Sequence, residues 1–286
     1  MKEEEKDQED YQKDLEKKSS GVKGSQKYSD ILSRVIHEGE ELFKINNKAM
    51  FLSAIIAGLE IGFSYLLVCT VYYFLGGSLD EQVVLKLFSI VYPVGFILVI
   101  LGKSALFTEQ TSVLALPVLN GQRNFLELLR VWSIVIIGNI IGGMFFAYFI
   151  GNLAPEMHLF TTETMINVGT HVLNYKWWVL LLSAITAGWL MGLLTWLLNS
   201  TINSLTRVLL IFMITGVIGF GGFHHSIVGN IEVFGALLHT AEISIADYLW
   251  FLFITLCGNG IGGAVVVGLF KYRIFESHYS EGKNEE

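Results

Sequence analysis

The sequence predicts an all-α membrane protein: six transmembrane helices in two inverted halves, with the second and fifth helices broken. Three observations predict it. The chain of 286 residues is 52% hydrophobic and 16% charged, with a mean hydropathy of +0.54, too apolar for an ordinary soluble domain. A block occurs twice inside apolar runs: Gly138-Asn139-Ile140-Ile141-Gly142-Gly143 returns as Gly258-Asn259-Gly260-Ile261-Gly262-Gly263, and Ala57-Gly58-Leu59-Glu60-Ile61-Gly62 is echoed by Ala187-Gly188-Trp189-Leu190-Met191-Gly192. Two of the apolar runs are too long and are interrupted by Gly and polar residues. Duplicated halves with broken segments are the sequence sign of a transporter or channel, with its site where the halves meet.

Residues 1–27 are rich in Lys, Glu, Asp, Gln and Ser, and predict a disordered charged tail in the cytoplasm. No short apolar run follows the charged start, so no signal peptide is expected. An amphipathic surface helix is expected within 28–48. Ser29 or Asp30 caps it, Ile31, Leu32, Val35, Ile36, Leu42 and Phe43 form its apolar face, and Gly39 weakens it. A channel domain follows over 49–270. Spanning the hydrocarbon takes about 20 apolar residues, and six segments qualify: 49–75, 84–117, 127–151, 177–199, 207–239 and 246–270. The halves are about 49–151 and 177–270, and 271–286 is a second cytoplasmic tail. The breaks fall at Gly102-Lys103-Ser104-Ala105-Leu106-Phe107-Thr108-Glu109-Gln110 and Gly219-Phe220-Gly221-Gly222-Phe223-His224-His225-Ser226. Backbone without helix at membrane depth must be buried by protein or line a wet cavity, so a pathway is sought there.

Positive charge sets the orientation. Arg123, Arg207, Lys271, Arg273, Arg34, Lys44 and Lys48 fall on one side, while the loops 76–83 and 240–245 have no Lys or Arg and 152–176 has only Lys176. Both termini are therefore expected in the cytoplasm, and three spans per half make the repeat inverted. The pairs Gly58/Gly62, Gly138/Gly142, Gly188/Gly192 and Gly258/Gly262 each share a helix face, which lets helices approach closely. Cys69 and Cys257 lie in apolar segments and suggest neither a disulfide framework nor a metal site.

Ionisable groups at expected membrane depth are Glu60, Lys103, Glu109, His224 and His225. Each costs about 2.5–3.5 kcal/mol or more at the bilayer centre, so each needs a partner or water. Lys103, Glu109 and Glu60 are candidates for buried charge pairs, with a transport role as the other reading. His225 follows the Gly-rich break, where it can donate a proton or a hydrogen bond to a passing anion. The bland alternative is a structural histidine, and both roles stay open for His224. Phe96, Phe107, Phe220 and Phe223 flank the breaks and either narrow a pore or pack.

These residues together resemble the formate/nitrite transporter family. The resemblance rests on Leu106-Phe107-Thr108 after the broken second segment, on Gly222-Phe223-His224-His225-Ser226-Ile227, and on both Gly-Asn blocks; it covers about residues 28–275. It looks closest to a branch whose loop reads Leu-Phe-Thr-Glu. The resemblance implies an aquaporin-like protomer, a homopentamer with one pore per subunit, and passage of small monovalent weak-acid anions such as formate or nitrite, with or without a proton. It also implies a bacterial inner membrane as the location. By position it implies His225 as central pore histidine, Thr108 as loop threonine, Lys176 near the outer vestibule, Phe96 and Ile218 as constriction, and Asn259 on the last span. Three departures stand out: His224 replaces the usual acidic residue, Gly192 replaces a pore-side Asn, and Lys103 and Glu109 add charge beside the threonine loop.

No cofactor, metal or nucleic-acid partner is implied; the expected partners are the lipid bilayer, a small anion or weak acid, and protons. A channel for neutral solutes is the alternative, although no Asn-Pro-Ala pair is present and the only prolines are Pro93, Pro117 and Pro155. An intramembrane enzyme using His224 and His225 lacks a HExxH or nucleophile-elbow motif. A non-transporting scaffold is the remaining reading.

Overall fold

Six helical units are long and apolar enough to cross a membrane in the computed structural model, which describes residues 28–274 and Ser277. The N-terminal tail 1–27 and most of the tail 271–286 lie outside the described residues.

Helix α1 (Tyr28–Lys44) buries Ile31, Leu32, Val35 and Phe43 at helical spacing. Gly39, which reads as a weakness in the sequence, is a contact point. A Cβ there would meet the carbonyl oxygen of Val113 and Cγ of Pro117 at 2.7 Å, lifting α1 off its neighbour. Arg123 clamps the same helix through Glu40, with Nη2 2.8 Å from one carboxylate oxygen.

Helix α2 (Asn47–Leu75) is capped by Asn46, which accepts the Ala49 N–H. The second span consists of α3 (Glu81–Val91) and α4 (Pro93–Gly102). Pro93 has no N–H to continue the ladder. Ser64 repairs the junction: its hydroxyl donates to the Tyr92 carbonyl at 2.6 Å and accepts the Gly95 N–H at 2.9 Å. After the first break comes α5 (Phe107–Leu119), then α6 (Phe125–Glu156), opened by a capping box of Asn124 and Glu127.

The second half repeats this plan with α8 (Trp177–Asn199), α9 (Ser204–Gly221), the second break, α10 (Ser226–Leu237) and α11 (Ile245–Gly260). Helix α11 continues as a π-helical stretch, Ile261–Leu269. Between the halves, 152–176 is more than the loop expected from sequence. It holds α7 (Thr162–Leu173), capped by Thr161, which buries Met165 and Val168.

Close helix approach organises both halves in the same way. A Cβ on Gly58 of α2 would collide with the carbonyl oxygen of Asn139 on α6. A Cβ on Gly188 of α8 would collide with the carbonyl oxygen of Asn259 on α11. Only glycine lets these backbones touch.

One face of the molecule carries α1, the α5–α6 turn and the α8–α9 turn; it is called the α1 face. The opposite, far face carries the α2–α3, α6–α8 and α10–α11 connections. Helices α5 and α10 start inside and run to opposite faces, which makes the repeat inverted.

Candidate functional site

Both breaks are built by the same chemistry. Each begins with a residue in the left-handed region: Lys103 (φ 61°) after α4 and Gly222 (φ 63°) after α9. Each is then held by a serine and an asparagine. Ser53 accepts the Ala105 N–H at 3.0 Å, and Ser183 accepts the His224 N–H at 3.1 Å. Asn139 accepts the Phe107 N–H at 2.9 Å and donates to the carbonyls of Ala54 and Ala105, each at 2.8 Å. Asn259 accepts the Ser226 N–H at 2.7 Å and donates to Ala184 at 2.7 Å and His224 at 3.0 Å. Unwound backbone needs its polar groups satisfied away from water, and these two amides supply that.

The breaks meet at the centre. Thr108, the second residue of α5, lies with Oγ1 2.6 Å from Nε2 of His225, the N-cap of α10. The Val228 N–H donates to His225 Nδ1 at 3.3 Å. Nδ1 is thus an acceptor, so the ring is neutral with its proton on Nε2, donated to Thr108. Phe96 stands edge-on to this imidazole, with centroids 4.9 Å apart. Phe96, Ile218 and Thr108 are all fully buried, and His225 is 2% exposed. The other flanking rings do different work: Phe107 packs on Trp132, while Phe220 is exposed under the ammonium of Lys86.

Two cavities of about 170 Å³ each flank this centre. The far-face cavity is lined by Ile218, His224, His225, Lys86, His171 and Glu232, among others. Its lysine is Lys86, whose Nζ donates to the Phe220 carbonyl at 2.8 Å. Lys176, the vestibule lysine by position, is exposed at the N-cap of α8 and does not line this cavity. His224 ties elements together. Its Nδ1 is 2.7 Å from Ser183 Oγ and its Nε2 is 3.2 Å from the Val172 carbonyl of α7.

The α1-face cavity is lined by Arg34, Glu38, Lys103, Glu109 and Arg207, among others. Sequence reasoning makes Lys103, Glu109 and Glu60 buried charge partners, and the structure corrects this. Lys103 is 69% exposed on its side chain, and its ammonium lies 3.9 Å from Glu38. The left-handed turn at Lys103 throws its side chain outward, toward α1. Glu109 shares the cavity with Lys103 without an ion pair at 4 Å or less. Glu60 lies against Gly102, with Oε2 buried and unpaired. Glu38, Lys86, Asn139 and Glu232 escaped the sequence reading. A signal existed for two: Asn139 stands in the same Gly-Asn block as Asn259, and Glu232 lies seven residues, two helical turns, beyond His225.

The family model for "Formate/nitrite transporter" matches residues 29–273. The chain belongs to this family. The family is one of channels and transporters, which removes the enzyme reading. Among curated relatives, the chain is 28% identical to "Inner membrane protein YfdC" of Escherichia coli (strain K12), over 90% of this chain and 81% of that one. It is 30% identical to "Uncharacterized transporter YrhG" of Bacillus subtilis (strain 168), over 86% and 92%. It is 26% identical to "Formate channel BtFdhC" of Bacillus thuringiensis, over 90% and 98%. Among solved structures, an "FNT family ion channel" superposes with a TM-score of 0.77 at 21% identity, covering 86% of this chain and 99% of that one. A "Pentameric formate channel with formate bound" gives 0.70 at 22%, covering 80% and 97%. These structural likenesses establish the aquaporin-like protomer fold with broken second and fifth helices.

Proposed function

We propose that this protein is a channel or secondary transporter for small monovalent weak-acid anions of the formate and nitrite kind. It works as a homopentamer with one pore per protomer, in a bacterial inner membrane, with the α1 face and both termini toward the cytoplasm. One observation carries the reading: the N-termini of α5 and α10 converge on the Thr108–His225 contact. Helix N-termini carry partial positive charge, so two of them aimed at one point favour an anion and oppose a cation. Exposed apolar side chains such as Phe145, Phe149, Trp250 and Phe253 suit lipid or neighbouring protomers. The relatives named as formate channels, one of them pentameric, support substrate and assembly.

The path runs as follows. Lys86 at the far cavity and Lys176 on the same face draw an anion in. The buried Phe96 and Ile218 then oppose a bare charge, because desolvating it is costly. The solute passes them as the neutral acid, hydrogen-bonded by Thr108 and His225. Asn259 and Asn139 hold the backbone that places those two groups. The neutral ring of His225 has a single N–H, which turns from Thr108 to the passing acid, so it acts as a hydrogen-bond donor, and protonation of the anion occurs before the constriction.

Proteoliposome swelling and pH-dye flux across formate, nitrite, acetate, lactate, hydrosulfide and glycerol test this. Formate or nitrite should pass and acidify the lumen. Passage of glycerol with no anion flux would establish the neutral-solute channel instead, and no flux of any solute would leave a scaffold.

A further inference from the structure

Glu232 lies on α10, seven residues after His225. That spacing places it within about 20° of the same helix face, roughly 10 Å nearer the far mouth. It is 8% exposed and lines the far cavity together with His224 and His225. No hydrogen bond or ion pair reaches its carboxyl among the described residues. A lone carboxylate in such a place is expensive, and a carboxyl without fixed partners has both oxygens available to a solute.

The groups around it are otherwise occupied or unsuited, except His171, an exposed imidazole of the cavity lining that stands edge-on to Tyr175. From α2, Tyr65 and Cys69 are its electrostatic neighbours, as is Tyr92 at the α3–α4 junction. Tyr72 of α2, His171 of α7 and Tyr175 beyond it line the same cavity, with Glu163 of α7 and Glu81 of α3 acting on Tyr72. Phenols and thiols ordinarily exchange protons near pH 10 and 8.5, well above the carboxyl range. Lys86 is bound to Phe220, His224 is held between Ser183 and Val172, and His225 is held between Thr108 and Val228. On α11, the Tyr248 hydroxyl is committed to Asn230 at 2.5 Å. The chain therefore has a buried, unpartnered carboxyl in the antechamber of a seal whose own histidine has no proton to spare.

We infer that Glu232 is the proton-exchanging group of the far cavity: it protonates the arriving anion before the seal and takes the proton back from a leaving acid. The O–H bond of the carboxyl breaks, its electron pair stays on the carboxylate, and the proton bonds to an oxygen of the anion. The neutral acid enters the Phe96–Ile218 constriction, and far-side water reprotonates Glu232. The reverse sequence serves export. This deepens the weak-acid reading above and rests on it.

The test uses the full chain in liposomes of phosphatidylethanolamine and phosphatidylglycerol, with radiolabelled formate and a luminal pH dye. Glu232→Gln keeps size and polarity but cannot exchange the proton. It should lower formate uptake and luminal acidification at least about tenfold, the low end of what a positioned acid–base group supplies being larger still, and should flatten the pH profile between about pH 5 and 8. Glu232→Asp should restore the pH dependence, with part of the rate. Wild-type rate and profile in Glu232→Gln would overturn the inference. So would equal slowing of both variants with the wild-type pH profile retained, since that marks a packing role. A wild type that passes glycerol but no weak-acid anion would overturn the weak-acid reading itself, and the role of Glu232 with it.

Discussion

Asn139 and Asn259 occupy equivalent places in the two halves and make equivalent hydrogen bonds. Each side-chain oxygen accepts the first N–H of the helix after a break, Phe107 at 2.9 Å or Ser226 at 2.7 Å. Each amide nitrogen donates to one carbonyl of the preceding span and one of the break. Both side chains are fully buried. One residue therefore carries three hydrogen bonds that the irregular backbone cannot supply for itself.

The first prediction follows. Asn139→Ala and Asn259→Ala each orphan one N–H and two carbonyls, at about 1–3 kcal/mol per buried group. Both variants should melt markedly lower in detergent than wild type, by similar amounts, and should lose flux. Asn→Asp at either position keeps the acceptor but turns a second carboxyl oxygen toward two carbonyl oxygens at a fully buried site, and should destabilise at least as much as alanine. Scanning fluorimetry of the four variants checks this; a large loss at Asn259 with none at Asn139 would deny the equivalence.

The six spans were legible because their signals are local: about 20 apolar residues mark a helix that crosses, and Gly with polar residues marks a break. Asn139 is as visible as Asn259, in the same repeated block, but the family resemblance implies a role only for the Asn of the last span. The partner of Lys103 is not legible in the sequence because it depends on a single backbone angle. At φ 61° the side chain leaves the core and meets Glu38, some 65 residues back along the chain. Helix α7 is hidden because its five apolar residues, Met165, Ile166, Val168, Val172 and Leu173, make too short a run to mark a span. The choice between Lys86 and Lys176 as the cavity lysine depends on which helix faces the cavity, and that is set by long-range packing.

A second prediction concerns the close contacts. Gly188→Val places a branched side chain against the Asn259 carbonyl and the α11 backbone. Overpacking of this kind costs about 1–3 kcal/mol, and more where backbone must move. It also displaces the residue that holds the second break. Folded yield and melting temperature should both drop. Gly58→Val should do the same through Asn139. Gly77, which has nothing within 4 Å, is the control and should tolerate alanine unchanged.

A third prediction uses the two left-handed positions. Lys103 occupies in the first half the place that Gly222 occupies in the second, with φ of 61° and 63°. For a residue with a side chain this conformation costs roughly 1–2 kcal/mol. Lys103→Gly should therefore be neutral or stabilising, despite losing the exposed pair with Glu38, because such pairs contribute about 0–1 kcal/mol. Gly222→Lys should destabilise by a similar margin. Lower stability in Lys103→Gly would mean that the lysine's interactions outweigh the backbone cost.

The last prediction separates the adjacent histidines. His225 holds two things at once: its Nε2 bonds Thr108 across the halves, and its Nδ1 caps α10 through the Val228 N–H. His225→Phe keeps a ring beside Phe96 but removes both bonds, leaving Thr108 without its partner from the other half and α10 without its cap. Formate flux should fall at least about tenfold, with the capping loss adding about 1 kcal/mol of destabilisation. The proposed pentamer should persist by native mass spectrometry, since His225 is buried inside the chain. His224→Gln touches a different set of groups. Its Nδ1 and Nε2 bind Ser183 and Val172, so it fastens α7 and α8 to the break without reaching Thr108. An amide can keep one of those bonds, and flux should change about twofold or less while melting temperature falls. The two variants are compared at matched protein content in liposomes across a pH series. Equal flux and pH dependence in wild type and His225→Phe would remove His225 from the permeation path and leave it as a helix cap.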